Sequence, residues 1–492
     1  MRNHMRMLVD ALMRNAAADG ECAAFQDAAG TLSRSVLARR VAGLAAELAA
    51  SPARTIGLFA PNGADWAIGF LAAAAAGRIV VPLPTFFSPA QLGHVVRDAS
   101  VDLLLATQET WPRALRSGIR ASLFETAKSG DAMPSPVGEF RQIIYTSGTT
   151  GAPKGVVHGE AQLGWQAKAL ASATEASADD LYLSVLPLPL LLESLCAIVV
   201  PTLVGASTRF DAQSAAAIGR GVAPRLADLF EDIRPTTSVL VPQLLKSWSL
   251  ELSAHGASAP SSLRFVAVGG APVAPRLAEE AWALGIPVHE GYGLSECCSV
   301  VAMNRPGERS ADIVGRPLDG LSVEIDDGEI VVEGPPVMSG YLGRPPAPRR
   351  LRTGDLGAFD DAGRLKVLGR KDSLIVTAFG RNVSPEWVES EVCVSSRIAL
   401  CAVTGHGEPV LSAVIVPTAL AEPWFRSAGA EEIEAFCRRL CADLPAYATP
   451  ERWETVSLEE AIAEGLVNAA GAVNRGVAAR ILARRTPRQD AA

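Results

Sequence analysis

One stretch carries the strongest signal for fold and chemistry alike: Tyr145-Thr146-Ser147-Gly148-Thr149-Thr150-Gly151-Ala152-Pro153-Lys154-Gly155. It directly follows Arg141–Ile144, a run typical of a strand. Its eleven residues hold four Ser or Thr hydroxyls, three glycines and one lysine. Glycines let backbone N–H groups approach phosphate oxygens closely, and hydroxyls add further donors. The stretch therefore predicts a loop that binds a nucleotide triphosphate.

The loop differs from the Walker phosphate-binding motif. That motif has glycine immediately before its lysine and Ser or Thr immediately after it, whereas Pro153 and Gly155 flank Lys154 here. Lys154 supplies a mobile positive charge. A glycine-rich surface turn without a ligand is the alternative that this stretch alone leaves open.

Helical and strand-like patterns alternate on the N-terminal side of the loop. Apolar residues recur at helical spacing in Val36–Ala50 and Asn62–Ala76, and buried strands are indicated at Thr55–Phe59 and Ile79–Leu83. This alternation predicts α/β layers with mostly parallel sheets. Gln108–Pro136 is polar and weakly patterned, so we expect a loop or a reduced connection there.

The pattern changes after Ser322. Strand-like pairs separated by turn residues predict hairpins at Val323–Val332 and Gly354–Gly369, and a helix is predicted from Pro385, with Ser384 as its N-cap. We therefore predict an α/β fold with two domains. A large N-terminal domain of layered sheets and helices, residues 1–369, is joined by a hinge to a small α+β domain, residues 370–492.

Composition limits the possible partners. The net charge is −8 and no long basic run occurs, so we expect no nucleic-acid partner and a solvated tail at Arg475–Arg488. Eight cysteines are scattered without a CxxC pair, which argues against a zinc site and fits a reducing cytoplasm. Met1–Ala16 lacks the apolar core of a signal peptide. Charges or prolines interrupt the apolar segments Ala67–Leu83 and Leu181–Ala206, so we expect no membrane span.

Four further motifs follow the loop: Gly269-Gly270-Ala271-Pro272, Glu290-Gly291-Tyr292-Gly293-Leu294-Ser295-Glu296, Arg352-Thr353-Gly354-Asp355 and Gly369-Arg370-Lys371-Asp372. Each alone fits a turn, a loop or a charged surface patch. In this order, and together with the loop, they resemble the motifs of the adenylate-forming superfamily. That superfamily includes acyl-CoA synthetases, aryl-CoA ligases, luciferases and peptide-synthetase adenylation domains. The resemblance extends from Thr31 to Arg475. The sequence of Gly380–Glu386 is most similar to a branch near the bacterial long-chain acyl-CoA synthetases.

The resemblance implies a role for each motif. Tyr292 would stack on adenine, Ser295 would touch the α-phosphate, and Asp355, with two acceptor oxygens, would hold the ribose hydroxyls. Glu296 would bind Mg²⁺ through its carboxylate, with Thr149 as a second ligand. The implied ATP-binding residues are Thr146, Ser147, Gly148, Thr149, Thr150, Gly151, Lys154, Gly270, Ala271, Pro272, Glu290, Gly291, Tyr292, Gly293, Ser295, Asp355 and Arg370.

The implied reaction is the activation of a small-molecule carboxylic acid by MgATP. The carboxylate attacks the α-phosphorus in line and pyrophosphate leaves, a transfer that depends on positioning and on neutralising charge. The implied catalytic residues are Lys154, Thr150, Glu296 and Arg370. The small domain would then rotate about Asp372, and CoA would displace AMP.

One departure concerns a lysine that superfamily members normally carry in a glycine-containing loop near the C-terminus. In the matching stretch, Gly465–Arg475, Ala472 occupies that position, and the sequence has no lysine after Lys371. Arg475 is a candidate substitute, although its planar head replaces a point charge poorly. Three alternatives stay open: an acid–CoA ligase; the same scaffold with an acyl-carrier protein as acceptor, or with an amine or nitrite entering; and a non-catalytic nucleotide-binding protein, which the intact motifs disfavour.

A second departure lies in Leu186–Glu193. Many relatives have a histidine and an aromatic residue there, lining the acid pocket, where this chain has Leu190 and Leu192. A leucine-rich wall suits an apolar acyl chain, and ordinary core packing is the alternative. We expect a fatty or aryl acid, and Trp165 and Trp248 are further candidates for the pocket wall.

Overall fold

The structure, a computed structural model, describes residues 6–124, 126, 128–146, 153–467 and 473–485. Sheets with helices packed on them make up the described residues, which confirms the predicted mixed α/β fold class. The strands, in chain order, are β1 (Ala23–Asp27), β2 (Gly30–Ser33), β3 (Thr55–Phe59), β4 (Ile79–Pro82), β5 (Leu103–Ala106), β6 (Ala121–Leu123), β7 (Arg141–Thr146), β8 (Lys154–Gly159), β9 (Leu181–Ser184), β10 (Ser207–Phe210), β11 (Thr237–Leu240), β12 (Phe265–Val268), β13 (Val288–Leu294), β14 (Ser299–Met303), β15 (Arg316–Pro317), β16 (Ser322–Asp326), β17 (Glu329–Glu333), β18 (Gly340–Tyr341), β19 (Arg350–Phe359), β20 (Leu365–Arg370), β21 (Ile375–Val376), β22 (Asn382–Val383), β23 (Ile398–Thr404), β24 (Ser412–Pro417) and β25 (Arg452–Thr455).

Helices cover the sheets and connect the parallel strands. They are α1 (Arg6–Ala18), α2 (Arg34–Ala50), α3 (Ala64–Ala76), α4 (Pro89–Asp98), α5 (Trp111–Arg116), α6 (Glu160–Ala173), α7 (Leu191–Ser194), α8 (Val200–Val204), α9 (Ala212–Gly219), α10 (Ala227–Ile233), α11 (Pro242–His255), α12 (Pro275–Ala283), α13 (Pro385–Val392), α14 (Glu422–Ser427), α15 (Ala430–Leu440), α16 (Leu458–Glu464) and α17 (Arg475–Arg485). A π-helical turn, Leu195–Val199, joins α7 to α8. Among the described residues, no helix combines the length and the apolar character needed to cross a bilayer.

Two large sheets form the N-terminal part of the chain. One has the strand order β18-β8-β7-β4-β3-β5-β6, and the other β15-β14-β13-β12-β11-β9-β10-β1-β2. Their central strands run parallel. Helix α3 is buried on nearly every side, and strand β3 is buried throughout, because both faces of a parallel sheet are covered. Ligands bind outside the carboxyl ends of such strands. Gly269 directly follows β12, which ends at Val268, and Ser295 directly follows β13, which ends at Leu294.

A smaller antiparallel sheet follows, in the order β16-β17-β19-β20. Its hairpins confirm the two that the turn residues predict. In the second, Asp355 on β19 lies directly opposite Arg370 on β20. The register of this hairpin therefore brings together two charged residues that are separated in the sequence.

Beyond residue 374, the described chain packs around cores of its own. Strands β23, β24 and β25 form a sheet, and apolar side chains between Ile375 and Ile481 form two clusters separate from the large N-terminal core. A boundary near residue 369 is consistent with these separate cores and stays a prediction.

Two local expectations need correction. Gln108–Pro136 is not only a loop, because α5 and the edge strand β6 lie within it. Ser384 takes the N-cap position of α13, but its side chain accepts no capping hydrogen bond. The Ser384 hydroxyl instead donates to Glu386 Oε2 at 3.1 Å.

Candidate functional site

The predicted phosphate-binding loop connects β7 to β8. These strands are antiparallel, and Thr146 lies opposite Lys154, so both residues stand where the hairpin leaves the sheet. Lys154 is exposed and Thr146 half-buried. The predicted loop residues Ser147, Gly148, Thr149, Thr150 and Gly151 lie outside the described residues.

The Glu290–Glu296 motif ends β13 in a tight reversal. A Cβ atom at Gly293 would lie 1.6 Å from the carbonyl oxygen of Ser299 on β14, so only glycine allows the two strands to approach this closely. After a 3₁₀ turn at Ser295–Cys297, Cys298 and Ser299 have φ of 54° and 95°. This left-handed backbone is uncommon for residues with a side chain. The reversal fixes the direction in which Ser295 and Glu296 leave the sheet.

Asp355 is held from two sides. Its Oδ2 accepts a hydrogen bond from the Tyr292 hydroxyl at 2.5 Å, and its Oδ1 accepts one from Arg370 Nη1 at 3.0 Å. Burial raises the pKa of Asp355 above its usual value, although Tyr292 and Arg370 act in the opposite direction. Tyr292, Asp355 and Arg370, all predicted as nucleotide contacts, therefore share one hydrogen-bonded cluster.

Glu296 belongs to a second cluster that contains a residue the sequence reasoning missed. The Tyr341 hydroxyl donates to Glu296 Oε1 at 2.7 Å, and the Lys154 ammonium lies 5.6 Å from the centre of the Tyr341 ring, within cation–π range. Burial and the Glu296 contact raise the pKa of Tyr341 to about 12. Only five tyrosines occur in the chain; this scarcity was the available signal for Tyr341.

The two clusters are neighbours. The positive charge of Arg370 lowers the pKa of Tyr341, and the negative charge of Glu296 raises that of Asp355. We call the combined group the polar rim; it consists of Lys154, Tyr292, Glu296, Tyr341, Asp355 and Arg370. It brings together residues from four separate sequence motifs and from the short strand β18.

Glu290 and the Gly269–Pro272 loop are packed against each other. Glu290 is buried, and its Oε1 accepts a hydrogen bond from the Val273 backbone N–H at 3.4 Å. Burial raises the pKa of Glu290 to about 8. Gly270, Ala271 and Pro272 are exposed on the loop, so Glu290 supports the loop from below.

A cavity of about 330 Å³ opens beside the rim. Gly270, Tyr292 and Ser295 contribute to its wall near the rim, and both predicted leucines, Leu190 and Leu192, line it further along. Trp165 and Trp248 do not line it, which corrects that expectation. Trp248 is fully buried and stacks on Phe230 with a ring separation of 4.1 Å.

Arg475, the candidate substitute for the expected lysine, is engaged elsewhere. Its Nη2 lies 2.7 Å from Glu389 Oε2 and 3.0 Å from Glu386 Oε1, both on α13. Burial raises the pKa of Glu389 to about 7 despite this pairing. Ala472 lies outside the described residues. The guanidinium of Arg475 therefore braces α13.

Comparison with known proteins gives consistent matches. The profile of the family described as AMP-binding enzyme matches residues 12–342. The chain is 34% identical to an indoleacetate–CoA ligase of Aromatoleum aromaticum, over 65% of this chain and 66% of that protein. It is 29% identical to a 2-succinylbenzoate–CoA ligase of Bacillus licheniformis, over 85% of this chain and 89% of that protein.

A solved structure is similar over nearly the whole chain. O-succinylbenzoate coenzyme A synthetase from Bacillus subtilis, in complex with AMP, has a TM-score of 0.77 at 24% identity and covers 98% of both chains. At this identity the likeness supports the fold alone. Further matching sequences are named for malonate, ferulate and long-chain fatty acids. The matches therefore do not single out the long-chain branch suggested by Gly380–Glu386.

Proposed function

Because the chain belongs to the AMP-binding enzyme family, we propose that it uses ATP to convert a small carboxylic acid into an acyl-adenylate, and then transfers the acyl group to CoA. The superfamily resemblance and the class of ATP-dependent acid–thiol ligase are confirmed by the family match and by relatives that are CoA ligases. The observation that carries the proposal is the polar rim, where the predicted nucleotide contacts meet at the mouth of an apolar cavity.

In the proposed reaction, an oxygen of the acid's carboxylate bonds to the α-phosphorus of ATP. The bond from that phosphorus to the bridging oxygen breaks, and pyrophosphate leaves with the electron pair. Lys154 is exposed beside the predicted loop and supplies positive charge for the phosphate oxygens. Asp355 and Arg370 hold each other where the resemblance places the ribose. In the second step the sulfur of CoA attacks the acyl carbon, and AMP leaves.

The polar rim offers a carboxylate, which is the type of ligand that Mg²⁺ prefers. Mg²⁺ is usually bound through one or two carboxylates together with substrate phosphates, and Glu296 offers one half-buried carboxylate beside Lys154. When bound, the ion would neutralise charge on the phosphates. The Tyr341 hydroxyl fixes the direction of this carboxylate before any ligand arrives.

AMP production tests the proposal. The protein is incubated with MgATP and a pool of fatty and aryl acids, with and without CoA, and AMP is quantified. We expect AMP formation to depend on the acid and to rise with CoA, and leaving out acids one at a time identifies the substrate. If ATP binds tightly but no AMP forms in any mixture, the non-catalytic alternative replaces this proposal.

The nature of the acceptor rests on a separate observation, the alanine at position 472. None of the relatives described above is named for an acyl-carrier protein. An amine or nitrite that enters in place of the usual partner remains an alternative. A positioned cation is worth a few kcal/mol of transition-state stabilisation. We therefore expect Ala472→Lys to raise the rate of acid-dependent ATP–pyrophosphate exchange by about tenfold or more, with Ala470→Lys as the matched control. An unchanged rate would mean that another group already supplies this charge.

A further inference from the structure

The cavity is long and follows strand β12 from one end to the other. Gly269 and Gly270, just after the strand, line it beside the rim, and Arg264, just before the strand, lines its far end. Gly269 is five positions after Arg264 in the sequence. At about 3.3 Å per strand residue, this is a length of roughly 16 Å.

The opposite wall gives an independent measure of the same length. The helical segment from Leu191 to Val204 contributes Leu192, Cys196, Val200 and Val204 to the cavity. These residues recur every four positions, so they form one ridge along the segment. At about 1.5 Å per residue, slightly less in the π-helical turn, the ridge is about 15 to 18 Å long.

Most of the polar groups along the wall are already satisfied within the protein. The Tyr182 hydroxyl donates to Glu193 Oε2 at 2.9 Å, and the Ser238 hydroxyl donates to the Leu183 carbonyl at 2.8 Å. The Cys196 thiol behaves as a small apolar group, and burial raises its pKa well above the usual value. The wall therefore offers apolar surface along its length.

The far end is closed by a satisfied ion pair. Arg264 Nε and Nη2 donate to the two carboxylate oxygens of Asp180 at 2.7 and 2.6 Å, and Arg264 Nη1 donates to the Thr174 carbonyl at 2.7 Å. All three nitrogens of the guanidinium are engaged. These bonds use three of the five guanidinium N–H groups, and Asp180 already balances the positive charge, so the far end offers a second carboxylate no uncompensated cation.

We propose that this cavity binds an extended, unbranched alkyl chain with an apolar end, and that Cys196 and Val200 set how long a chain fits. The proposal rests on the proposed function, because the acid's carboxyl group is taken to lie at the polar rim. With carbon–carbon bonds of about 1.5 Å, the cavity takes a chain of roughly ten to fourteen carbons. A compact aryl acid or a short diacid fills only the end near the rim.

A chain-length series tests the inference. AMP formation is measured with straight-chain acids from butanoate to hexadecanoate, and with benzoate, indoleacetate and succinate. One buried methylene is worth about fourfold in binding, so we expect kcat/KM to rise about three- to fourfold per added carbon until the cavity is full. Val200→Phe places bulk about two thirds of the way along the ridge from Leu192 to Val204 and should move the optimum to shorter acids by several carbons. Val200→Ala should use the longest acids at least as well as the wild type does.

Leu203→Phe is the matched control, because Leu203 is on the same turn but does not line the cavity. Calorimetric binding of dodecanoate and benzoate gives a readout without turnover, so it covers a variant that folds but is inactive. Tighter binding of dodecanoate than of benzoate, without AMP formation, would support the cavity assignment and overturn the proposed function. AMP formation that is best with aryl acids, or is indifferent to chain length, would overturn the cavity assignment and leave the function standing. Absence of both AMP and binding would overturn both.

Discussion

Two buried carboxyl groups, one on the polar rim and one behind the cavity wall, have opposite surroundings. Asp355 on the polar rim accepts hydrogen bonds from Tyr292 and from the cationic Arg370. Glu193, behind the cavity wall, is fully buried and meets the Tyr182 hydroxyl, while its Oε1 has no hydrogen-bond partner within the part of the chain that is described. Burial raises the pKa of both groups, that of Glu193 to about 8. The comparison teaches that, of these two buried carboxyl groups, only the one on the polar rim is paired with a cation.

This difference follows from the cost of a charge away from water. An ionised carboxylate in an apolar environment is strongly disfavoured unless it is paired, and burial is the leading cause of the shift at Glu193. Protonation removes the charge at Glu193, so this carboxyl group adds no charge behind the cavity wall. At the polar rim, by contrast, Lys154, Glu296 and Arg370 keep charges close together.

The largest expected effect is that of removing the Glu296 charge from the polar rim. Glu296→Gln removes the carboxylate charge but keeps the side-chain length and an oxygen that can accept from Tyr341. Because charge stabilisation at one position is typically worth 10²–10³ in rate, we expect acid-dependent AMP formation to fall by about that factor. The measurement is kcat/KM for MgATP, with circular dichroism to verify folding.

Tyr341→Phe is the control for this change. It keeps the ring beneath Lys154 and removes only the hydroxyl that orients Glu296. A loss of one hydrogen bond to a charged group is worth about 1.5–3 kcal/mol, so its effect should be smaller than that of Glu296→Gln. Equal losses in the two variants would show that orientation, and not charge, is what Glu296 contributes.

A smaller effect concerns a cation that is held without a carboxylate. Lys246 on α11 donates to the carbonyl oxygens of Cys393, Ser395 and Ile398 at 2.6, 2.7 and 3.0 Å. Burial lowers the pKa of Lys246, and the ammonium sits at the C-terminal end of α13, where a helix dipole favours positive charge. Lys246 therefore stabilises the orientation in which the C-terminal region docks on α11.

We expect Lys246→Met to change the ratio of acid-dependent ATP–pyrophosphate exchange to acyl-CoA formation by about tenfold or more. The physical reason is that the charged hydrogen bonds, worth about 1.5–3 kcal/mol each, favour this one orientation over the rotated one that the sequence predicts. Lys168→Met, an exposed lysine on α6, is the matched control. Parallel changes in both partial reactions would mean that Lys246 supports stability alone.

The sequence predicted the parts of the site that depend on local pattern. Asp355 and Arg370 belong to recognisable motifs, and the turn residues between them predict the hairpin that pairs them. Tyr341 was missed because its contact with Glu296 spans 45 residues and depends on β18 pairing with β8. Arg475 was a candidate for the missing cation because spacing alone does not reveal that Glu386 and Glu389 already hold it. Local propensity also did not predict β6, a short strand that forms at the edge of an existing sheet.

The smallest expected effect is the pH dependence of stability that Glu193 causes. Its pKa in the folded protein is about 8, above the ordinary 4.5. Below the ordinary value the group is protonated in both states, and its contribution to stability is fully present. As the pH rises towards 8 the unfolded chain ionises first, so the free energy of unfolding falls by an amount on the order of a few kcal/mol.

Glu193→Gln should remove this loss, because glutamine stays neutral and can still accept a hydrogen bond from Tyr182. The melting temperature of Glu193→Gln, relative to that of the wild type, should therefore rise by a few degrees between pH 5 and pH 8. Glu109→Gln, at an exposed position, is the control. Parallel pH profiles of wild type and Glu193→Gln would mean that the pKa of Glu193 is not raised in the folded protein.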